Sequence, residues 1–205
     1  MGISQWMIWI YAPVERTMGL AQKIFYLHLP LAWWGFVSFF LVFLASLLFL
    51  LRKGKDHDLL AGAAAEVGVL FSTLVLLTGM IWARASWNTW WTWDPRLTTA
   101  LVMWFVYCGY LILRSSDLGG ERRRSICAVV GIVAFLDVPL VFISARMWRS
   151  IHPAVFASRE GGLPQEMLLT VLVCLVAWGV LWAWICWLRY IQLKAAARIE
   201  QIQGL

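Results

Sequence analysis

Five long apolar runs constrain the fold of this 205-residue chain more than any other feature. They cover approximately residues 30–51, 59–83, 97–113, 126–145 and 167–188. A helix needs about 20 apolar residues to cross the hydrocarbon core of a bilayer, and in lipid the backbone must satisfy its own hydrogen bonds. Hydrophobic residues make up 62% of the chain and charged residues 14%, which excludes a water-soluble globule. The sequence therefore predicts an all-α polytopic membrane protein, a bundle of five full transmembrane helices.

A sixth apolar stretch, residues 3–12, is too short to span a membrane. Its aromatic residues Trp6, Trp9 and Tyr11 are compatible with a helix in the membrane interface. The stretch is also compatible with the end of a first span whose beginning is absent from the chain. It lacks the basic start and small-residue cleavage site of a signal peptide. We therefore interpret residues 1–12 as a partial first span or an interfacial helix, within a single membrane domain that covers residues 1–205.

Basic residues are concentrated in one set of loops, which follow the first, third and fifth runs. They are Arg52, Lys53, Lys55, Arg114, Arg122, Arg123, Arg124, Arg189, Lys194 and Arg198. Because cytoplasmic loops carry the excess of Lys and Arg, we expect these loops inside and residues 13–29, 84–96 and 146–165 outside. The lipid bilayer thus explains the net charge of +6, and no nucleic-acid partner is needed.

A tryptophan-rich segment, residues 84–98, lies between the second and third runs on the predicted outer side. An aromatic belt at the membrane interface accounts for one or two of its indoles. If the segment is helical, four side chains share one face, namely Trp87, Trp90, Trp91 and Asp94. The indoles then form a slab that suits a large, flat, apolar ligand, and Trp82 and Trp148 lie close enough to extend it. Asp94 before Pro95 is equally typical of a helix N-cap.

Two of the three histidines lie on the predicted outer side. His28 precedes the first run and His152 follows the fourth, whereas His57 lies in a charged inner loop and is interpreted as a surface residue. One histidine at an interface is usually only amphipathic, but two at matching depth beside an indole platform are candidate axial ligands of haem iron. Four arginines on this side are candidate partners for haem propionates, with snorkelling to lipid head groups as the alternative: Arg84, Arg96, Arg146 and Arg149.

Residues 87–98 read WNTWWTWDPRLT and closely resemble the tryptophan-rich WWD signature of haem-handling proteins in cytochrome c maturation. The chain length, His28 after Tyr26 and Leu27, and the stretch 144–152 are most similar to the CcmC family of haem exporter C proteins. The resemblance covers most of the chain, from about residue 10 to the last span.

This resemblance implies a site on the periplasmic side of the bacterial inner (cytoplasmic) membrane that cradles b-type, non-covalent haem, with His28 and His152 as axial ligands. It implies delivery rather than catalysis, with haem presented to a membrane-anchored CcmE-like chaperone. The CcmAB ABC transporter and a small CcmD-like membrane protein are the further implied partners. The candidate haem-binding residues are then Trp87, Trp90, Trp91, Trp93, Asp94, Arg96, Arg84 and Arg149.

Two features depart from the family pattern. The family usually has glycine directly after the first signature tryptophan, where this chain has Asn88, so the backbone there is expected to differ. The family usually has six spans, whereas this chain begins where the first should already be under way, which indicates a truncated start or a misplaced initiator methionine.

Two other functions stay open. The WWD signature also occurs in cytochrome c synthases of the CcmF and CcsA types, although these are generally larger and carry further histidines within their spans. A small-solute transporter would use the intramembrane acids Asp137 and Glu66 as a proton or solute path, but the sequence shows no inverted repeat or paired broken helices. Asp137 also suits a packing role, hydrogen-bonded near the backbone group freed by Pro139.

Overall fold

Helices form nearly all the regular structure in the computed structural model, which describes residues 1–147 and 163–203. The elements are α1 (Gly2–Trp6), a π-helical turn (Met7–Tyr11), a 3-10 helix (Leu20–Ile24), α2 (Phe25–Arg52), α3 (Lys55–Trp87), α4 (Pro95–Arg114), α5 (Gly120–Ala134), α6 (Asp137–Met147) and α7 (Gln165–Gln203). Five segments are long and apolar enough to cross a membrane: Leu20–Arg52, Lys55–Trp87, Pro95–Arg114, Gly120–Ser144 and Gln165–Gln203. The prediction of an all-α membrane protein with five spans is confirmed.

The hairpin of α2 and α3 forms the centre of the bundle. The two helices are joined by Lys53 and Gly54, and Lys53 ends α2 in the left-handed conformation. Close approach of the helices depends on small residues of α3, because a side-chain carbon at Gly68 would lie 2.6 Å from the Phe39 ring. Helix α2 also contacts α5 and α7, and helix α3 also contacts α4 and α7. Helix α4 contacts α5 and α6 as well.

Three ion pairs join α3 to other helices at one end of the bundle, which we call the basic end. Arg114 of α4 binds Asp58 through two nitrogen–oxygen contacts of 2.7 and 3.1 Å. The α7 residues Arg189 and Lys194 bind Glu66 and Asp56, respectively. Glu66, one of the two acids considered for a proton or solute path, is thus paired with Arg189.

The N-terminal stretch is helical and packs at the opposite end, which we call the tryptophan end. Ile8 and Ala12 are buried in a cluster with Tyr26, Trp82 and Met167. The ammonium group of Lys23 donates hydrogen bonds to the carbonyls of Ile8 and Ala12 at 2.5 and 2.7 Å, which satisfies backbone acceptors at the end of this stretch. Both interpretations of residues 1–12 are compatible with this packing.

The fourth span is broken, although the sequence was interpreted as one continuous run over residues 126–145. α5 ends at Ala134, Phe135 and Leu136 form a turn, and α6 begins at Asp137. Pro139 has no N–H to bond the carbonyl four residues earlier, which favours a break at this position. The Oδ2 atom of Asp137 is buried and has no hydrogen-bond partner among the described residues. The hydrogen bond expected for a packing role is therefore not made by this oxygen.

Candidate functional site

A cleft opens at the tryptophan end between α2, α3, α4 and residues 88–94. Its cavity volume is about 110 Å³, smaller than the about 300–1,000 Å³ typical of small-molecule sites, and the cleft is open to the surroundings. Aliphatic side chains form most of its wall. The aromatic and polar side chains that line it are His28, Trp82, Trp87, Trp90, Trp91 and Arg96. The structure thus brings together residues that lie up to 113 positions apart in the sequence, from His28 to Val141 of α6.

His28 lies in the first turn of α2 and is held against α3. Its Nδ1 atom is 3.0 Å from the Thr78 hydroxyl oxygen, and this hydroxyl donates to the carbonyl of Leu74 at 2.7 Å. Since a hydroxyl carries one proton, this geometry fits the tautomer in which Nδ1–H of His28 donates to Thr78 and the lone pair is on Nε2. Histidine ligands of metals commonly have the other ring nitrogen fixed in this way.

Gly79 permits this position of the imidazole. A side-chain carbon at Gly79 would lie 3.2 Å from Cε1 of His28, which is a tight contact. Sequence reasoning missed both Thr78 and Gly79. Helical spacing could have indicated them, because Thr78 precedes Trp82 by four residues and therefore lies on the same face of α3.

Trp82 forms the buried back of the cleft. Its ring lies edge-on to His28 with the centroids 5.8 Å apart, and it stacks with Trp87 at 6.5 Å. The interpretation that Trp82 extends the indole platform agrees with this arrangement. The Trp82 ring therefore lies against the imidazole on the α3 side, with the Trp87 ring stacked next to it.

The prediction that the tryptophans of residues 87–94 share one face of a helix is wrong. α3 ends at Trp87 and residues 88–94 are not helical. Asn88 has a left-handed backbone, with φ of 57°, and Asp94 is extended, as the residue before a proline usually is. Trp90 and Trp91 reach the cleft because this non-helical segment crosses its mouth.

Asn88 occupies the left-handed position that follows the end of α3. Glycine and then asparagine are the favoured residues there, because they tolerate positive φ. Its N–H donates to the Arg84 carbonyl at 3.2 Å. The replacement of the family's usual glycine by asparagine therefore retains a residue suited to this backbone conformation.

Three predicted site residues lie around the cleft without lining it. Trp93 is 76% exposed and packs edge-on to Trp91. Asp94 is buried and caps α4, since its Oδ1 accepts from the Arg96 N–H at 2.9 Å, so the N-cap interpretation is confirmed. Arg84 is exposed and donates to the backbone carbonyl of Asn88 at 2.7 Å.

Arg84 also lies over the Trp90 ring, 5.9 Å from its centroid. Arg149 and His152, like Trp148 and most of the predicted outer segment 146–165, lie outside the described residues. The same holds for the side chain of Arg146.

The polar groups of the cleft match a flat ligand that carries carboxylates. Arg96 is the one charged side chain among the described lining residues besides the titratable His28. The Trp91 Nε1–H is buried and has no acceptor among the described residues, and a buried donor of this kind normally has one. A ring nitrogen, a guanidinium and indole faces are the groups by which proteins ligate haem iron, bind propionates and pack against a macrocycle.

Together these features define a polytopic all-α membrane protein with an aromatic cleft at one end of its helix bundle. The family model described as CcmC, heme exporter protein C, matches residues 1–203. The chain belongs to this family.

Curated relatives are similar over most of the chain. The heme exporter protein C of Bradyrhizobium diazoefficiens is 33% identical over 83% of this chain and 65% of its own length. The heme exporter protein C of Haemophilus influenzae is 29% identical over 88% of this chain and 74% of its own length. A ccmC-like mitochondrial protein of cytochrome c biosynthesis from Marchantia polymorpha is 30% identical over 75% of this chain and 64% of its own length. The chain thus spans about two thirds of the length of these relatives.

Proposed function

We propose that this protein binds haem in the aromatic cleft and presents it to a CcmE-like haem chaperone during cytochrome c biogenesis. The observation that carries the proposal is the convergence of His28, Arg96 and the signature tryptophans on one cleft. Family membership supports it, because heme exporter protein C is the family's description. The mitochondrial relative named for cytochrome c biosynthesis supports the pathway.

His28 supplies an axial ligand through Nε2, since Thr78 holds Nδ1. His152 supplies the second, as the family resemblance implies. A bis-histidine site of this kind holds b-type haem without a covalent bond to the protein. The indole faces of Trp82, Trp87 and Trp91 pack against the macrocycle, and their burial excludes water from it.

Arginines hold the propionates in this proposal. Arg96 acts from the cleft wall and Arg84 from its rim, and Arg149 adds a further charge-assisted hydrogen bond. Trp90 and Trp93 are exposed and form the surface on which the chaperone docks. Asp94 contributes by fixing the start of α4 and with it the position of Arg96. The protein's part is binding and orientation, while the haem itself provides the covalent chemistry with the chaperone.

The site faces the periplasm in the bacterial inner membrane, because the opposite end carries the basic loops. The remaining partners are the CcmAB ABC transporter, which releases the loaded chaperone, and a small CcmD-like membrane protein. Residues 1–205 act as one membrane domain, and the external segments 84–98 and 146–165 belong to it.

A haem spectrum of histidine variants tests the ligand assignment. Protein purified from haem-replete cells should show a bis-histidine absorption spectrum, and the double variant His28→Ala, His152→Ala should lose it. His57→Ala is the matched control, because this histidine lies at the basic end and should leave the spectrum unchanged. Size-exclusion profiles establish that each variant is folded. An unchanged spectrum in the double variant contradicts the assignment.

A further inference from the structure

Three buried polar groups lie in the membrane interior below the cleft, and the proposed haem site does not use them. The hydroxyls of Tyr107 and Ser46 and the Oδ2 atom of Asp137 have no hydrogen-bond partner among the described residues. An unsatisfied buried polar group costs about 1–3 kcal/mol, so such groups are usually bonded to protein or to ordered water. These three groups therefore indicate bound water.

The groups belong to one region of the core. Tyr107 is fully buried, stacks on Phe39 with centroids 3.7 Å apart, and lies edge-on to Tyr110 at 6.3 Å. Asp137 is close enough to Tyr107 for the two side chains to interact electrostatically. Ser46 reaches the same region, because its hydroxyl and the Tyr110 ring lie beside Gly131, 2.7 and 3.3 Å from where a side-chain carbon would be.

A hydrogen-bonded chain continues from this region to the basic end. Arg114 donates to the Tyr110 hydroxyl at 3.2 Å, and the same guanidinium binds Asp58 at 2.7 Å. Tyr107 precedes Arg114 by seven residues of α4, a distance of about 10 Å along the helix.

The broken helix adds a reason for water at Asp137. This residue begins α6 within the fourth span, and the first N–H groups of a helix have no partner within it. Discontinuous helices inside membranes typically occur where they face a cavity or a polar path. An ionisable residue at such a position is costly in lipid and is commonly functional.

We propose that Asp137 is a proton-binding carboxyl, which receives its proton from the basic end through waters held by Tyr107, Ser46 and Tyr110. The path is independent of the haem proposal, because it uses none of the residues of the cleft. The titratable and charged groups that face it are Tyr107, Tyr110 and Arg114 from α4, Asp58 from α3 and Cys127 from α5. From α2 the path receives the hydroxyl of Ser46.

Labelling with dicyclohexylcarbodiimide tests the proposal. This apolar reagent partitions into the membrane and adds to protonated carboxyls there, and mass spectrometry that locates the adduct on Asp137 measures the product. The full chain is reconstituted into vesicles of one known orientation, and the pH is changed on one side at a time. Raising the pH at the basic end should lower labelling by about tenfold for each unit above the carboxyl pKa. Raising it at the tryptophan end should have no effect.

Three variants locate the path. Asp137→Asn should abolish the label, which identifies the carboxyl. Tyr107→Phe and Ser46→Ala should each weaken the response to pH at the basic end, because each removes a hydroxyl that holds water. Tyr26→Phe is the matched control, since its hydroxyl is also buried but lies at the tryptophan end, and it should behave as the wild type.

Four results would overturn the proposal. They are absence of label at every pH, a response to pH at the tryptophan end, a response that survives in both Tyr107→Phe and Ser46→Ala, and loss of the response in Tyr26→Phe. A haem spectrum recorded on the same samples separates these results from any failure of the haem site.

Discussion

At the basic end, three acidic side chains of α3 each bind a basic side chain of another helix, whereas at the tryptophan end Arg96 lines a cleft. The paired groups at the basic end are Asp58 with Arg114, Glu66 with Arg189, and Asp56 with Lys194. At the tryptophan end, the nearest carboxylate in sequence, Asp94, caps α4. Arg96 forms no ion pair with a described residue.

Charged side chains therefore have different surroundings at the two ends of the bundle. Ion pairs between helices fix the packing where no ligand is needed, and the desolvation of each charge is offset by its partner. At the cleft, the Arg96 guanidinium, the buried Trp91 N–H and the His28 imidazole line the space in which we propose that haem binds. Substitutions at the basic end should therefore change stability, and those at the cleft should change binding.

The largest effect is expected at Asp58. Asp58→Ala leaves the mostly buried Arg114 guanidinium without its partner, which should lower the free energy of unfolding by about 3–5 kcal/mol. Thermal unfolding in detergent, followed by size-exclusion, measures the change. Asp56→Ala is the matched control, because its pair with Lys194 is exposed and should contribute only about 0–1 kcal/mol. Equal losses in the two variants contradict the distinction between a buried and an exposed pair.

Arg96→Gln should weaken haem binding with little change in stability. A hydrogen bond to a charged group contributes about 1.5–3 kcal/mol, so the dissociation constant for haem should rise by roughly ten- to a hundredfold. Titration with haem dimethyl ester is the control, because its propionates carry no charge and the variant should bind it as the wild type does. If the variant loses affinity for both ligands equally, Arg96 does not bind propionate.

Thr78→Val should weaken haem binding through His28. The side chain keeps its shape but no longer accepts the hydrogen bond from Nδ1, and loss of such a supporting bond typically costs about 10- to 100-fold in metal affinity. Thr78→Ser retains the hydroxyl and should restore binding. A haem titration of the three proteins measures the series, and wild-type affinity in the valine variant excludes a role for Thr78.

The smallest effects are expected at Asn88, the left-handed residue that follows α3 and leads into the tryptophan-rich segment. Asn88→Gly should leave both stability and haem binding nearly unchanged, because glycine adopts positive φ freely. Asn88→Ala should cost about 1–2 kcal/mol for its left-handed backbone, measured by thermal unfolding. A stable alanine variant would show that the end of α3 does not depend on this conformation.

Much of the fold follows from local patterns that the sequence displays. Each span is longer in the structure than its apolar run, since helices extend into the polar loops, as α3 does from Lys55 to Trp87. The N-cap at Asp94 follows from the short-range chemistry of an acidic residue before proline. The break at Asp137 was not predicted, because Pro139 permits a kink, a break or a continued helix, and packing against α4 selects among them.

The candidate site was predicted in its residues more than in its geometry. The helical slab failed because helical spacing describes a face only while the helix continues, and Asn88 ends α3 directly after Trp87. Thr78 and Gly79 looked like ordinary residues of an apolar helix. Their role depends on the imidazole ring of His28 on α2, which lies 50 residues before Thr78 in the sequence.

The sequence alone determined that this chain is a five-span helical membrane protein with its basic loops at one end and its tryptophan-rich segment at the other, because the bilayer imposes length, hydrogen bonding and charge asymmetry on every helix. Only the tertiary structure decided which polar groups meet. The ion pairs of α3, the hydrogen bond from His28 to Thr78 and the buried hydroxyls near Asp137 all depend on how helices far apart in the chain pack. Side-chain contacts between helices act over a few ångströms, and no local pattern specifies them.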